Sequence, residues 1–156
     1  MDKLVLVNDY PYHVRIEGDG APTWLFFHGF MGSFADYEQV QPGGTRVYLD
    51  LLGFGGQTPI ASAERFNATN QALDIVAILD TLGVEKVNLV GYSMGARLAL
   101  AFANQFPERL QRLFLESGTA GIANQADRES RVASDEQKAD RIERDGMDAF
   151  VADWEK

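Results

Sequence analysis

The 156 residues include 46% hydrophobic and 11% aromatic side chains, enough for one domain with a sizeable core and too many for a disordered chain. A net charge of −9 argues against nucleic acid or an anionic membrane as partner, yet it leaves room for an anionic small molecule held by a few local arginines. With no cysteine there is neither a disulfide nor a thiolate metal site, which suits a reducing cytoplasm, and the apolar run 4–7 is too short for a signal core or a membrane span.

In chain order the pattern alternates strand and helix. Residues 3–8 and 12–17 read as an antiparallel hairpin turning at Asp9-Tyr10-Pro11, and 18–22 is a second turn. Residues 23–27 form a continuous apolar strand, the mark of burial on both faces, ending in His28-Gly29-Phe30-Met31-Gly32-Ser33. A short helix capped by Ser33 is expected over 34–40, a strand over 46–50, and a glycine-rich loop over 51–59. Ala68, Ala72, Ile75, Val76 and Leu79 have the spacing of an amphipathic helix over 67–82, closed by Gly83.

Residues 87–90 are a strand that breaks at Gly91-Tyr92-Ser93-Met94-Gly95 and resumes with helical period through Leu98, Ala101 and Phe102. Glycine two positions either side of a serine lets the backbone bend sharply and lifts the Ser93 hydroxyl to the carboxyl edge of a sheet, while the following helix aims free N–H groups at developing negative charge. Residues 112–116 form a further strand after the break at Phe106-Pro107-Glu108. From 124 to 144 the chain is dense in charge and reads as exposed helices, running on to Ala152-Asp153-Trp154. The alternation predicts an α/β fold with a mostly parallel sheet of about six strands and helices on both faces, its ligands bound at the strands' carboxyl ends.

Three loops meet at that edge: His28 to Gly32, Asp50 to Gln57, and the bend at Ser93. An oxyanion needs two aimed N–H donors, for which Met94 and Phe30 are the candidates. His28, with Gly29, reads as a structural residue ordering its loop rather than as a base, and His13 as an ordinary hairpin residue far from the edge.

The order of elements, with His28-Gly29-Phe30-Met31-Gly32, Asp50-Leu51-Leu52-Gly53-Phe54-Gly55 and Gly91-Tyr92-Ser93-Met94-Gly95, resembles an α/β-hydrolase. More narrowly, Arg97 four residues after the serine, Leu115-Glu116-Ser117-Gly118-Thr119-Ala120-Gly121, Arg128, Arg131 and Ala152-Asp153-Trp154 resemble the 2-succinyl-6-hydroxy-2,4-cyclohexadiene-1-carboxylate synthases of menaquinone biosynthesis. The resemblance implies a lyase that removes a ring proton and eliminates pyruvate, with Ser93 as base, an oxyanion hole for the enolate-like charge, and no metal or organic cofactor. It implies that Tyr92, Arg97, Arg131, Arg128 and Trp154 bind a polycarboxylate. A charge-paired helix flank for Arg97, a solvated face for Arg128 and Arg131, and simple packing for Trp154 are the plain alternatives. Leu52 and Phe54 depart from the proline and histidine common in the wider superfamily.

In this fold the triad runs serine, then Asp or Glu, then histidine, but both histidines here precede Ser93. The expectation is therefore the front part of a synthase, with a core over 1–121 and the start of a helical cap over 122–156, truncated and nearly inactive alone. The strand 112–116 should then present an open edge, so a homo-oligomer through that edge or the cap helices is expected. A carboxylesterase or C–C hydrolase of the same fold, and a non-catalytic oligomerising fragment, are the competing readings.

Overall fold

The computed structural model describes residues 1–56 and 59–156, so Gln57 and Thr58 of the expected glycine-rich loop lie outside the described residues. The chain divides into two compact units, Met1–Ala120 and Gly121–Lys156.

The first unit is built on one six-stranded sheet in the order β1-β2-β4-β3-β5-β6. β1 (Asp2–Val7) and β2 (Tyr10–Glu17) form the predicted hairpin, but its turn is Asn8-Asp9, both left-handed at φ 48° and 65°. Such a two-residue turn matches the twist of the strands it joins, and Asn and Asp tolerate that backbone better than other non-glycine residues. Pro11 is therefore in β2 opposite Leu6, not in the turn. Its missing N–H costs little there, because β4 pairs with β2 only from Val14 to Glu17.

β3 (Thr23–Phe27) lies parallel between β4 (Thr45–Leu49) and β5 (Val87–Tyr92), and β6 (Leu110–Glu116) adds parallel to β5. Alternation along β3 sends Leu25 and Phe27 to one face and Phe26 to the other. On the first face α1 (Ala68–Leu82) and α2 (Met94–Gln105) bury Ile75, Ile78, Leu79, Leu98 and Phe102 against Leu25, Val47, Leu49 and Leu89. The second face carries Phe26 stacked on Tyr48 at 5.0 Å, covered by the single 3-10 turn Phe34–Tyr37. Among the described residues of the first unit, the two long helices pack on one face and the short 3-10 turn on the other.

The caps fall where their residues dictate. The Asn67 side chain accepts from the Asn70 amide at 2.8 Å at the head of α1, and Gly83 closes it at φ 69° with the Val84 amide bonded back to Leu79. Asp74, buried in α1, accepts from the Tyr12 hydroxyl at 2.5 Å and from Arg65 at 2.7 Å, while Arg65 also donates to the Val7 and Asn8 carbonyls. This network ties the segment before α1 to the hairpin and leaves the carboxylate satisfied.

The second unit holds α3 (Gln125–Asp145) and α4 (Met147–Trp154), joined at Gly146 with φ 86°. Arg141 pairs with Asp153 across the two helices, and Phe150 stacks on Trp154. Among the described residues no helix is long and apolar enough to cross a membrane.

Candidate functional site at the carboxyl edge of the sheet

β5 runs into α2 through a single residue. Ser93 takes φ 54° and ψ −114°, a region that side-chain-bearing residues seldom occupy and that persists only where the surroundings hold it. The restraints are visible. Its amide donates to the Glu116 carbonyl of β6 at 3.0 Å, and its carbonyl accepts from the Ala96 and Arg97 amides at 3.0 and 3.3 Å. The side chain makes no cap to its own helix, so the hydroxyl is not consumed by α2.

Two glycines make room for that bend. A Cβ on Gly91 would lie 2.6 Å from the Gly95 carbonyl oxygen, and one on Gly95 would lie 2.2 Å from the Phe27 oxygen and 2.5 Å from that of His28. The first turn of α2 therefore rests directly on the backbone at the end of β3. Met94 opens the helix, so its N–H belongs to the first turn, where the helix itself supplies no acceptor.

The loop after β3 lies against the bend. A Cβ built on Gly29 would come within 3.5 Å of Ser93 Cβ and 2.9 Å of the Tyr92 ring, and the next residue is Phe30. The Gly32 amide closes a turn onto the Gly29 carbonyl at 3.1 Å, with Met31 at φ 62°. Phe30 meets Phe54 edge-on at 5.9 Å.

His28 is fully buried and both ring nitrogens are engaged. The Leu51 amide donates to Nε2 at 3.0 Å, so Nε2 is an acceptor, and Nδ1 must carry the proton it donates to the Gly29 carbonyl at 2.8 Å. Burial holds its pKa below the ordinary 6.5, outweighing the raising effects of the Gly29 carbonyl, Asp50 and Asp36. The neutral ring joins the loops after β3 and β4 and has no nitrogen left for a proton from Ser93. Next to it, the Tyr37 hydroxyl donates to the Phe27 carbonyl at 3.2 Å, and burial pushes that phenol up to about 12.

Arg97 is exposed on α2, one turn beyond Ser93, and its guanidinium has no hydrogen-bond or ion-pair partner among the described residues. The charge-paired flank is therefore not what the structure contains. Tyr92, the last residue of β5, is 45% exposed. In the second unit the other expected binding residues have local roles. Arg128 donates to the Ile122 and Ala123 carbonyls at 2.8 and 2.7 Å, Arg131 pairs with Asp135 at 2.9 Å, and Lys138 lies 5.6 Å from the centre of the Trp154 ring.

The expectation that His13 is an ordinary hairpin residue remote from the carboxyl edge does not hold. His13 is not far from this edge: its Nδ1 lies 3.4 Å from an Asp50 oxygen, its Nε2 3.6 Å from Asp2, and its carbonyl accepts the Asp50 amide at 3.1 Å. β2 runs antiparallel to β4, so the middle of β2 meets the carboxyl end of β4. Asp50 also accepts from the Phe34 amide at 2.8 Å, and a cleft of about 320 Å³ opens beside the pair, lined by Tyr10, His13, Asp50 and Phe54. Among the described residues no three histidine or acidic side chains gather as a metal cluster.

A mostly parallel sheet, a strained serine between strand and helix, and a histidine–glycine loop packed on it define a class. The chain belongs to the alpha/beta hydrolase fold family, which matches residues 22–146. Among curated proteins it is 40% identical over 148 residues to a Bacillus subtilis (strain 168) protein provisionally named a 2-succinyl-6-hydroxy-2,4-cyclohexadiene-1-carboxylate synthase, covering 92% of this chain and 54% of that one. It is 36% identical to the synthase of that name from Klebsiella pneumoniae (strain 342), covering 86% and 54%. The chain thus spans about half the length of the curated relatives it matches. Among solved structures, an epoxide hydrolase of Vigna radiata superposes with a TM-score of 0.67 at 29% identity, over 74% of this chain and 39% of that one. A protein from Nostoc sp. PCC 7120 provisionally named an alpha/beta hydrolase gives 0.67 at 26%, over 74% and 42%.

Proposed function

We propose that this chain carries the serine-bearing half of a 2-succinyl-6-hydroxy-2,4-cyclohexadiene-1-carboxylate synthase. The observation that carries the reading is the free Arg97 guanidinium one turn from a strained Ser93, in a chain whose curated relatives bear that name. An arginine fork accepts a carboxylate in bidentate fashion, and an otherwise acidic protein keeps such a charge unpaired at a site edge where an anion completes it.

In this reading Ser93 takes the ring proton, the electron pair left behind forms the new ring double bond as the C–O bond to the enol-pyruvyl group breaks, and the departing enolpyruvate takes up a proton at carbon to become pyruvate. Charge that builds on oxygen is met by the N–H groups of Met94 and Phe30. Arg97 and Tyr92 orient the substrate, and Arg128, Arg131 and Trp154 are the further candidates for binding its carboxylates. A serine needs a base to act in this way, and the two histidines cannot supply one: both His28 nitrogens are bonded, and His13 faces Asp50 and Asp2. The 156-residue chain alone is therefore nearly inactive.

The test replaces the matching segment of the Bacillus subtilis relative by residues 1–146 of this chain and follows pyruvate release with a lactate dehydrogenase couple. The expected result is turnover by the chimera, lost on Ser93→Ala and on Arg97→Ala, and near-background release by the chain alone. A chimera that hydrolyses neutral esters regardless of Arg97, and releases no pyruvate, would overturn the synthase reading in favour of an esterase.

A further inference from the structure

Two consecutive residues at the end of β4 hold both ends of the loop that lies on the Ser93 bend. The Leu51 amide donates to His28 Nε2 at 3.0 Å where the loop leaves β3, and the Asp50 carboxylate accepts from the Phe34 amide at 2.8 Å where the loop enters its 3-10 turn. Residues 29–33 run between these anchors, with Gly29 against Tyr92 and Ser93 and Phe30 next in the chain. The first anchor is fixed on its own terms, since His28 is fully buried and bonded at both ring nitrogens. The second depends on where a carboxylate points, and the last torsion of an aspartate is soft unless a neighbour restrains it.

His13 supplies that restraint. It lies across from Asp50, whose amide donates to the His13 carbonyl at 3.1 Å, and residues paired in this way carry their side chains on the same face. Its Nδ1 is 3.4 Å from one Asp50 oxygen, while the Phe34 amide is bonded to the other. The Gly55 backbone, at φ 90°, packs against the His13-facing oxygen, where any side chain would collide with it, so the carboxylate has little room to turn away. Asp50 is buried, and a contact of this kind is little screened there. The same imidazole meets the Phe34 ring edge-on at 4.9 Å, so it touches that residue directly as well as through Asp50.

We propose that His13 is a positioning residue of the site: an N–H at Nδ1 aims the Asp50 carboxylate, the carboxylate fixes the Phe34 amide, and the loop bearing the Phe30 N–H is thereby kept on the Ser93 bend. The last link rests on the function proposed above, in which that N–H meets charge on oxygen; the first two concern the fold alone. Simple packing of the imidazole on Phe34 is the competing role, and two substitutions separate it from the donor. His13→Asn keeps an N–H at the place of Nδ1 and gives up the ring, whereas His13→Phe keeps a ring and gives up the donor.

Amide hydrogen exchange followed by NMR on the chain itself reads the anchor. The Phe34 amide should exchange about tenfold faster or more in His13→Phe and close to the unaltered rate in His13→Asn, with the Leu51 amide, held by His28, unchanged in both. In the chimera with the Bacillus subtilis relative, His13→Phe should lower kcat for pyruvate release by about tenfold or more with KM within about twofold, and His13→Asn should retain most of the rate. Should His13→Phe fail to fold, His13→Leu takes its place. Phe34 exchange that is slow in His13→Phe and fast in His13→Asn, exchange that ignores residue 13, or a kcat equal in all three chimeras would each overturn the proposal. A chimera that releases no pyruvate while the exchange pattern is as expected counts against the synthase reading and supports the anchoring of the loop by His13.

Discussion

Replacing Gly95 with alanine tests the packing that holds the Ser93 bend in place. The added methyl would lie 2.2 Å from the Phe27 carbonyl oxygen and 2.5 Å from that of His28, against an ordinary carbon–oxygen contact more than about 1 Å longer. Both obstacles are backbone, so no side chain can swing aside; α2 must lift from β3, or β3 must shift within a sheet paired on both sides. Overpacking of this kind costs about 1 to 3 kcal/mol, and a rigid backbone neighbour places Gly95→Ala at the upper end. Near the melting midpoint that corresponds to a fall of about 6 to 12 °C for a chain of this size. Gly43→Ala is the control, because a Cβ there meets nothing within 4 Å. Thermal melts and urea titrations of both variants would settle the matter: a Gly95→Ala protein as stable as Gly43→Ala would refute the claim that α2 sits on the β3 backbone.

Three further outcomes follow from the same geometry. The folded-state pKa of His28 is depressed, so its contribution is fully present above the ordinary 6.5 and is lost as pH falls from there toward the lower folded value. Urea midpoints between neutral and mildly acidic pH should therefore drop with a slope of at most about 1.4 kcal/mol per pH unit from this ring, a component absent in His28→Gln. Ser93→Gly removes a side chain from a positive-φ backbone and should stabilise the fold by about 1 kcal/mol in thermal melts; a destabilised variant would argue against strain at that residue. Arg97→Ala should leave the melting temperature nearly unchanged, within about 0.5 kcal/mol, yet weaken binding of a tricarboxylate by about tenfold or more in titration calorimetry.

The strand-to-helix bend at residue 93 was legible because its signal is local: glycine on both sides, an apolar run before and a helical period after. The ends of α1 were legible for the same reason, since Asn67 and Gly83 act on atoms a few residues away. Whatever depends on lateral pairing was not. His13 looked remote because nothing in a strand's sequence states which neighbour its middle will meet, and only the antiparallel register of β2 with β4 brings it to Asp50. Pro11 read as a turn residue for a like reason: the position that tolerates it exists only because β4 stops pairing at Val14. Asp74 is a charged residue set between Leu73 and Ile75, and the hydroxyl that satisfies it when buried comes from Tyr12, sixty-two residues earlier in the chain.

The glycines beneath α2 separate what is fixed from what is free to vary. Gly91, Gly95 and Gly118 lie where any side chain would collide with α2 or with the strand it rests on, so mutation there is answered first by folding. Arg97 occupies the same few turns of chain but is exposed and has no hydrogen-bond or ion-pair partner among the described residues. Selection can thus alter the exposed Arg97 position while the platform beneath it stays untouched.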